Sequence, residues 1–245
     1  MNPRIFLHLY TVACMVDIYS RAAGQGSWEM LVKPLLMPLL IAWFFFSAPV
    51  RTALERWTLA ALVFSWGGDV LLLFADRSEG WFIAGLGSFL LGHLCYIQAF
   101  RQGPFLFAPT TFGEQAPERG LRPIAWTALP VLAFAGFLIW TIWPYLGEMA
   151  VPVSIYALVI ASMAVAALNR YRKVPSASFG MVLAGALIFV VSDSTIAWNK
   201  FYQPFDAAGP AIMVTYLTAQ LLITAGVLAQ RSRMDDEQLV GALTP

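Results

Sequence analysis

Charge is what this chain is short of. Only 12% of its 245 residues are Asp, Glu, Lys or Arg, about half the ~25% of a soluble domain. The net charge is +1, so no nucleic-acid partner is expected. Cysteine is nearly absent as well. Cys14 and Cys95 both fall in apolar runs, form no C-x-x-C pair and read as small buried hydrophobes. With only His8 and His93, one chain cannot assemble a three-histidine zinc site. A mixed Asp/His metal site stays open, and no cofactor is expected.

Apolar side chains are abundant: 59% of the residues, with eighteen Phe and nine Trp, for a mean hydropathy of +0.69. A spanning helix needs about 20 mostly apolar residues. Eight such runs can be marked, at 4–20, 30–48, 56–75, 80–100, 122–143, 150–168, 177–198 and 208–229. The fold class expected is therefore all-α, a polytopic membrane bundle of eight transmembrane helices. Residues 1–230 form its one domain, and 231–245 read as a polar, disordered cytoplasmic tail. The first run follows Arg4 in the manner of a signal peptide but ends in Asp17 and is followed by further spans, so it reads as a retained helix. Ala48-Pro49, Gln102-Gly103-Pro104, Pro175-Ser176 and Gln203-Pro204 break the chain between runs, and the longest polar loop is about 102–121.

Basic residues set the orientation. Eleven fall on the side of the two termini: Arg4, Arg51, Arg56, Arg101, Arg119, Arg122, Arg170, Arg172, Lys173, Arg231 and Arg233. Four fall opposite: Arg21, Lys33, Arg77 and Lys200. Both termini are expected in the cytoplasm, in the inner membrane of a bacterium. Small residues four apart, Ser88 with Gly92, Ser176 with Gly180 and Gly180 with Ala184, are candidate sites of close helix approach.

Against this background two aspartates stand out. Asp69 lies in TLAALVFSWGGDVLLLF and Asp193 in ALIFVVSDSTIAWNKF. A carboxylate at membrane depth is costly unless paired or hydrated, so each marks a candidate functional site. Ser65, one turn before Asp69, and Ser192 and Ser194, flanking Asp193, are candidate donors to them. Two carboxylates in one pocket can divide the roles of acid and base. The structural alternatives are an Asp69 paired with Lys33, Trp66 or backbone, and an interfacial Asp193 bonded to Lys200. His93 and Tyr96 share a helical face, as do Tyr216 and Gln220. Tyr156, Asn199 and Lys33 complete the polar set, Lys33 being either a snorkelling anchor or the partner of a phosphate or carboxylate. Asp17 is expected to reach water at its helix end. By depth His93 falls in the cytoplasmic half and the other polar residues in the outward half.

The segments KPLLMPLL (33–40), SWGGDVLLLF (65–74), FLLGHLCYIQAF (89–100), IYALVIASM (155–163) and ALIFVVSDSTIAWNKF (186–201) follow one another in an order that resembles the YhhN-like family, whose animal members are lysoplasmalogenases. The pieces G-D-x-x-L-L, G-H-x-x-Y and S-D-S are specific only together. The resemblance implies an eight-helix membrane hydrolase that cleaves the vinyl ether bond of a lysoplasmalogen, with Asp69 and Asp193 as the family's two aspartates. The products are a fatty aldehyde and a glycerophospho-ethanolamine or -choline. The lysophospholipid and the bilayer are then the partners. Two carboxylates suit this chemistry: one protonates the outer alkene carbon and the other activates water, much as in glycoside hydrolysis. The competing reading is a small proton-coupled transporter or permease, since ion paths also use intramembrane carboxylates. A scaffold with purely structural aspartates is the third.

Overall fold

A computed structural model describes residues 2–24, 28–47, 52–102 and 122–243. Most of the 102–121 loop, Pro49, Arg51 and Arg119 lie outside these residues. The described chain is helical: α1 (Arg4–Ala22), α2 (Glu29–Ser47), α3 (Ala53–Leu72), α4 (Glu79–Arg101), α5 (Arg122–Leu146), α6 (Ala150–Leu168), α7 (Ser176–Ala197) and α8 (Ala208–Leu243). A single 3-10 turn, Gly147–Met149, joins α5 to α6, and a π-helical turn, Trp198–Tyr202, extends α7.

Five runs among the described residues are long and apolar enough to cross a membrane: Glu29–Ser47, Glu79–Arg101, Ala128–Leu168, Ser176–Tyr202 and Ala208–Arg231. The third is 41 residues long and holds both α5 and α6. Gly147, at φ +50°, adopts the left-handed conformation that turns the chain there, and α6 packs on α5. The other two helices are more polar. Asp17 and Arg21 dilute α1, and Glu55, Arg56 and Asp69 dilute α3. The surface agrees with a multi-pass membrane protein. Leu31, Leu158 and Trp140 are 65%, 63% and 75% exposed, an outward apolar display that soluble monomers avoid.

The strongest packing joins α7 to α8 and α3 to α4; α1 rests on α2 and α8, and α4 on α6. Tyr10 ties α1 to α8 by donating to the Leu217 carbonyl at 3.0 Å. In α2, Pro38 has no N–H to give the Pro34 carbonyl one turn back. Trp66 of α3 supplies it, with Nε1 donating to that carbonyl at 2.9 Å. A capping box of Thr52 and Glu55 starts α3, and Arg231 of α8 donates to Glu55 at 2.6 Å. The helix α8 does not stop near 229, as its polar continuation suggests, but runs on to Leu243. No proline interrupts the backbone between Ala211 and Leu243.

Candidate active site

The helix α7 carries Asp193 four residues before its end; α6 packs on α7, and α4, which packs on α6, reaches Asp193 through the His93 side chain. Tyr156 of α6 donates its hydroxyl to Asp193 Oδ2 at 2.5 Å. His93 Nε2 of α4 lies 3.0 Å from the same oxygen and 2.9 Å from the Tyr156 hydroxyl. Both neighbours of Nε2 are then acceptors, because the phenol has given its hydrogen to the carboxylate. His93 therefore carries its proton on Nε2 and donates. Its Nδ1 is buried and, among the described residues, has no hydrogen-bond partner. The edge of the His93 ring packs on Phe189, with centroids 4.7 Å apart.

The Asp193 side chain is 8% exposed and lines a pocket. Leu72, Phe82, Leu86, Phe89, Val153, Ile196, Ala197 and Phe201 line this pocket together with Tyr156 and Asp193. About 440 Å³ free of protein atoms lies between these residues, open solvent included. An apolar pocket with a carboxyl and a phenol in its wall can receive an apolar group and deliver a proton to it.

Asp69 occupies a second cluster. It is 3% exposed on α3, and Tyr216 of α8 donates to its Oδ2 at 2.7 Å. Lys33 acts on it electrostatically. The Tyr216 ring packs edge-on against Phe89 and Phe189, at 5.7 and 5.5 Å between centroids. Phe189 thus separates Tyr216 from His93, and Phe89 separates it from the pocket. Gly68 makes this fit: a Cβ there would come within 2.5 Å of the Phe89 ring. Among the described residues no hydrogen bond joins Asp69 to Asp193, and Asp69 is not one of the pocket-lining residues.

Residues 28–227, which include Asp69, His93, Tyr156, Asp193 and Tyr216, match the YhhN family. The chain belongs to the YhhN family. Its relatives include a protein of Mycobacterium bovis named lysoplasmalogenase, 36% identical over 232 residues, covering 94% of this chain and 82% of the relative. Human lysoplasmalogenase TMEM86A is 28% identical over 248 residues, covering 95% and 92%. Human lysoplasmalogenase TMEM86B is 30% identical over 204 residues, covering 83% and 77%. No solved structure matches the chain.

In this YhhN-family protein the remaining polar candidates take other partners. Tyr96 donates to Gln220 at 2.5 Å rather than joining His93, so Tyr216 and Gln220 serve different sites from one face of α8. The serines do not reach the aspartates. Ser65 Oγ would lie 3.3 Å from a Cβ at Gly92, against α4. Ser192 donates to the Ile212 carbonyl, and Ser194 bonds back to Val190 within its own helix. A short hydroxyl in a helix finds the carbonyl one turn back more readily than a neighbouring side chain. Asn199 accepts from the Phe205 N–H and fastens the loop after the π-turn. Lys33, only 8% exposed, belongs to the Asp69 side. His93 is level with Asp193, since the two touch, and not in the opposite half of the bundle. Among the described residues no three His, Cys, Asp or Glu side chains come together.

Asp17 was expected to reach water and does not: it is fully buried. Arg21 pairs with it at 2.8 Å and with Glu29 at 2.8 Å. The Asp17–Arg21 spacing of four residues was the available signal. Replacing Arg21 with Met is expected to leave Asp17 buried and unpaired, lowering stability by about 3–5 kcal/mol. Unfolding of the detergent-solubilised protein measures this; an unchanged midpoint would show the pair to be dispensable.

Proposed function

We propose that this protein is a membrane-embedded hydrolase that cleaves the vinyl ether bond of lysoplasmalogen-type lipids to a fatty aldehyde and a glycerophospho-ethanolamine or -choline. One observation carries the reading: Asp193, held by Tyr156 and His93, lines a pocket whose other walls are apolar. The names of the relatives agree with it.

In this mechanism Tyr156 and His93 both engage Oδ2, so Oδ1 is the atom presented to substrate. Protonated Asp193 gives its proton from Oδ1 to the outer alkene carbon. The ether oxygen donates its electrons to the adjacent carbon, forming an oxocarbenium ion. The resulting carboxylate, stabilised by the Tyr156 and His93 donors, faces that cation and then takes a proton from the attacking water. The hemiacetal collapses to aldehyde, and the glycerol oxygen leaves with a proton. One water is consumed and no other reactant is needed. Asp69, behind Tyr216 and Phe89, contributes field rather than proton transfer in this scheme. Tyr96, Gln220, Ser65, Ser192, Ser194 and Asn199 position helices around the pocket.

The proposed topology is eight spans with both termini in the cytoplasm, and the proposed setting is a bacterial inner membrane. The eleven-to-four distribution of basic residues supports the orientation. The test is aldehyde release from a 1-alkenyl lysophospholipid by the purified protein in detergent. A transporter would need a sealed vesicle and a gradient, and a hydrolase needs neither. Tyr156→Phe removes the donor to Asp193 and is expected to lower kcat about a hundredfold, and His93→Gln about tenfold. Failure of a folded wild type to release aldehyde from any vinyl-ether lipid would exclude the reading.

A further inference from the structure

The pocket has one end that the proton chemistry does not use. Phe82 and Phe201 line it there, their rings 6.1 Å apart at a steep angle. Phe201 belongs to the π-helical turn Trp198–Tyr202, an irregularity that often marks functional sites in helices. The widened turn also places Lys200, whose ammonium lies 5.1 Å from the centre of the Phe82 ring. Lys200 is exposed, and among the described residues no carboxylate forms an ion pair with it. A cation held on the aromatic rim of an apolar pocket, with donors still free, is suited to a soluble anion attached to an apolar chain.

Resting on the proposed hydrolase reading, we infer that Lys200, on the π-turn at the pocket mouth, forms the subsite for the phosphate of the lipid head group. The spacing fits. Seven residues of helix separate Asp193 from Lys200, about 10 Å along the axis. Five single bonds of about 1.5 Å separate the vinyl-ether oxygen from phosphorus, a reach of roughly 6 Å when extended. The lysine side chain closes the difference. With the alkenyl oxygen at Asp193, the phosphate comes within reach of Lys200 and the alkenyl group meets the apolar wall. The other outward cations are placed differently. Lys33 acts on Asp69, Arg21 pairs with Asp17 and Glu29, and Arg77 stacks on Phe74; none of Lys33, Arg21 or Arg77 lines the pocket.

Binding of uncleavable ligands separates this subsite from catalysis. A saturated 1-O-alkyl lysophosphoethanolamine is compared with the matching 1-O-alkylglycerol, which lacks the phosphate. Lys200→Gln is expected to weaken the phospholipid about tenfold and leave the glycerol ether unchanged, with Lys200→Arg restoring most of the loss. Inorganic phosphate alone is expected not to displace the phospholipid, because the chain supplies the affinity. Equal weakening of both ligands, no weakening of either, displacement by inorganic phosphate, or discrimination lost in Lys33→Gln instead of Lys200→Gln would each overturn the subsite. Absence of phospholipid binding by the folded wild type would do the same. Lys200-dependent binding without aldehyde release would leave the subsite standing and remove the hydrolase reading. Aldehyde release indifferent to Lys200 would do the reverse.

Discussion

Asp193→Asn is expected to reduce aldehyde release at least about a thousandfold while leaving the bundle folded. The amide keeps an oxygen that can accept from Tyr156 and His93, so the contacts joining α7 to α4 and α6 survive in outline. The acidic proton does not survive, and an amide cannot protonate an alkene carbon. Binding of an uncleavable alkyl-ether analogue is therefore expected to stay within about twofold of wild type, placing the loss in kcat. Asp69→Asn is the informative comparison. Its oxygen can still accept from Tyr216, and Phe89 and Phe189 stand between that cluster and the pocket. A drop of about tenfold is expected, from lost field near the cation. Equal collapse of both variants would restore the two-carboxylate scheme, with substrate reaching past Phe89. An Asp193→Asn protein retaining a tenth of wild-type activity would rule out Asp193 as the acid.

The helices were legible in the sequence because apolar runs and Pro/Gly breaks record them directly. Seven of the eight expected runs begin and end within a few residues of α1 to α7, and the eighth falls short of the full α8. The two aspartates were legible because a carboxylate in such a run is conspicuous. Their partners were not. Tyr156 and Tyr216 were both candidates, but nothing assigned Tyr156 to Asp193 or Tyr216 to Asp69. Such pairing depends on how each helix is rotated about its axis. Helices α6 and α7 are apolar on every side, so the lipid-facing and core-facing sides share one composition and the usual amphipathic signal is missing. Lys200 was hidden for the same reason. Sequence proximity suggested it as a partner for Asp193, whereas the π-turn directs it to Phe82. The small-residue pairs met the same limit. Gly92 lies against Ala61 and Ser65 of α3, but a Cβ at Gly180 would meet nothing within 4 Å.

The glycine that the four-residue spacing passed over is the one with the largest expected effect on folding. At Gly185 of α7 a Cβ would stand 2.8 Å from Ile223 Cγ1, 2.9 Å from the Ala219 carbonyl oxygen and 3.0 Å from the Ile223 nitrogen. Two of these atoms belong to the backbone of α8 and cannot rotate away. Gly226 makes the reciprocal contact, where a Cβ would lie 3.0 Å from the Val182 nitrogen. In a bilayer, helices gain little from hiding apolar surface from lipid, so close backbone approach of this kind is a main source of their association. Gly185→Ala is expected to cost about 2 kcal/mol, and Gly185→Val to prevent native packing of α7 on α8. Gly180→Ala, two turns or less away on the same helix, is expected to be neutral or slightly stabilising, because the space is open and alanine favours the helix. The measurement is the unfolding midpoint in detergent for the three variants. The site must respond as well: α7 carries Asp193, about 12 Å along the helix from Gly185, and α8 carries Tyr216, about 5 to 10 Å from Ala219 and Ile223, so separating them disturbs both aspartate clusters. Gly185→Val should thus lose activity together with stability. If Gly185→Ala instead melts with the wild type, the two backbones are farther apart than the packing of α7 on α8 requires, and the relative positions of the two clusters would need revision.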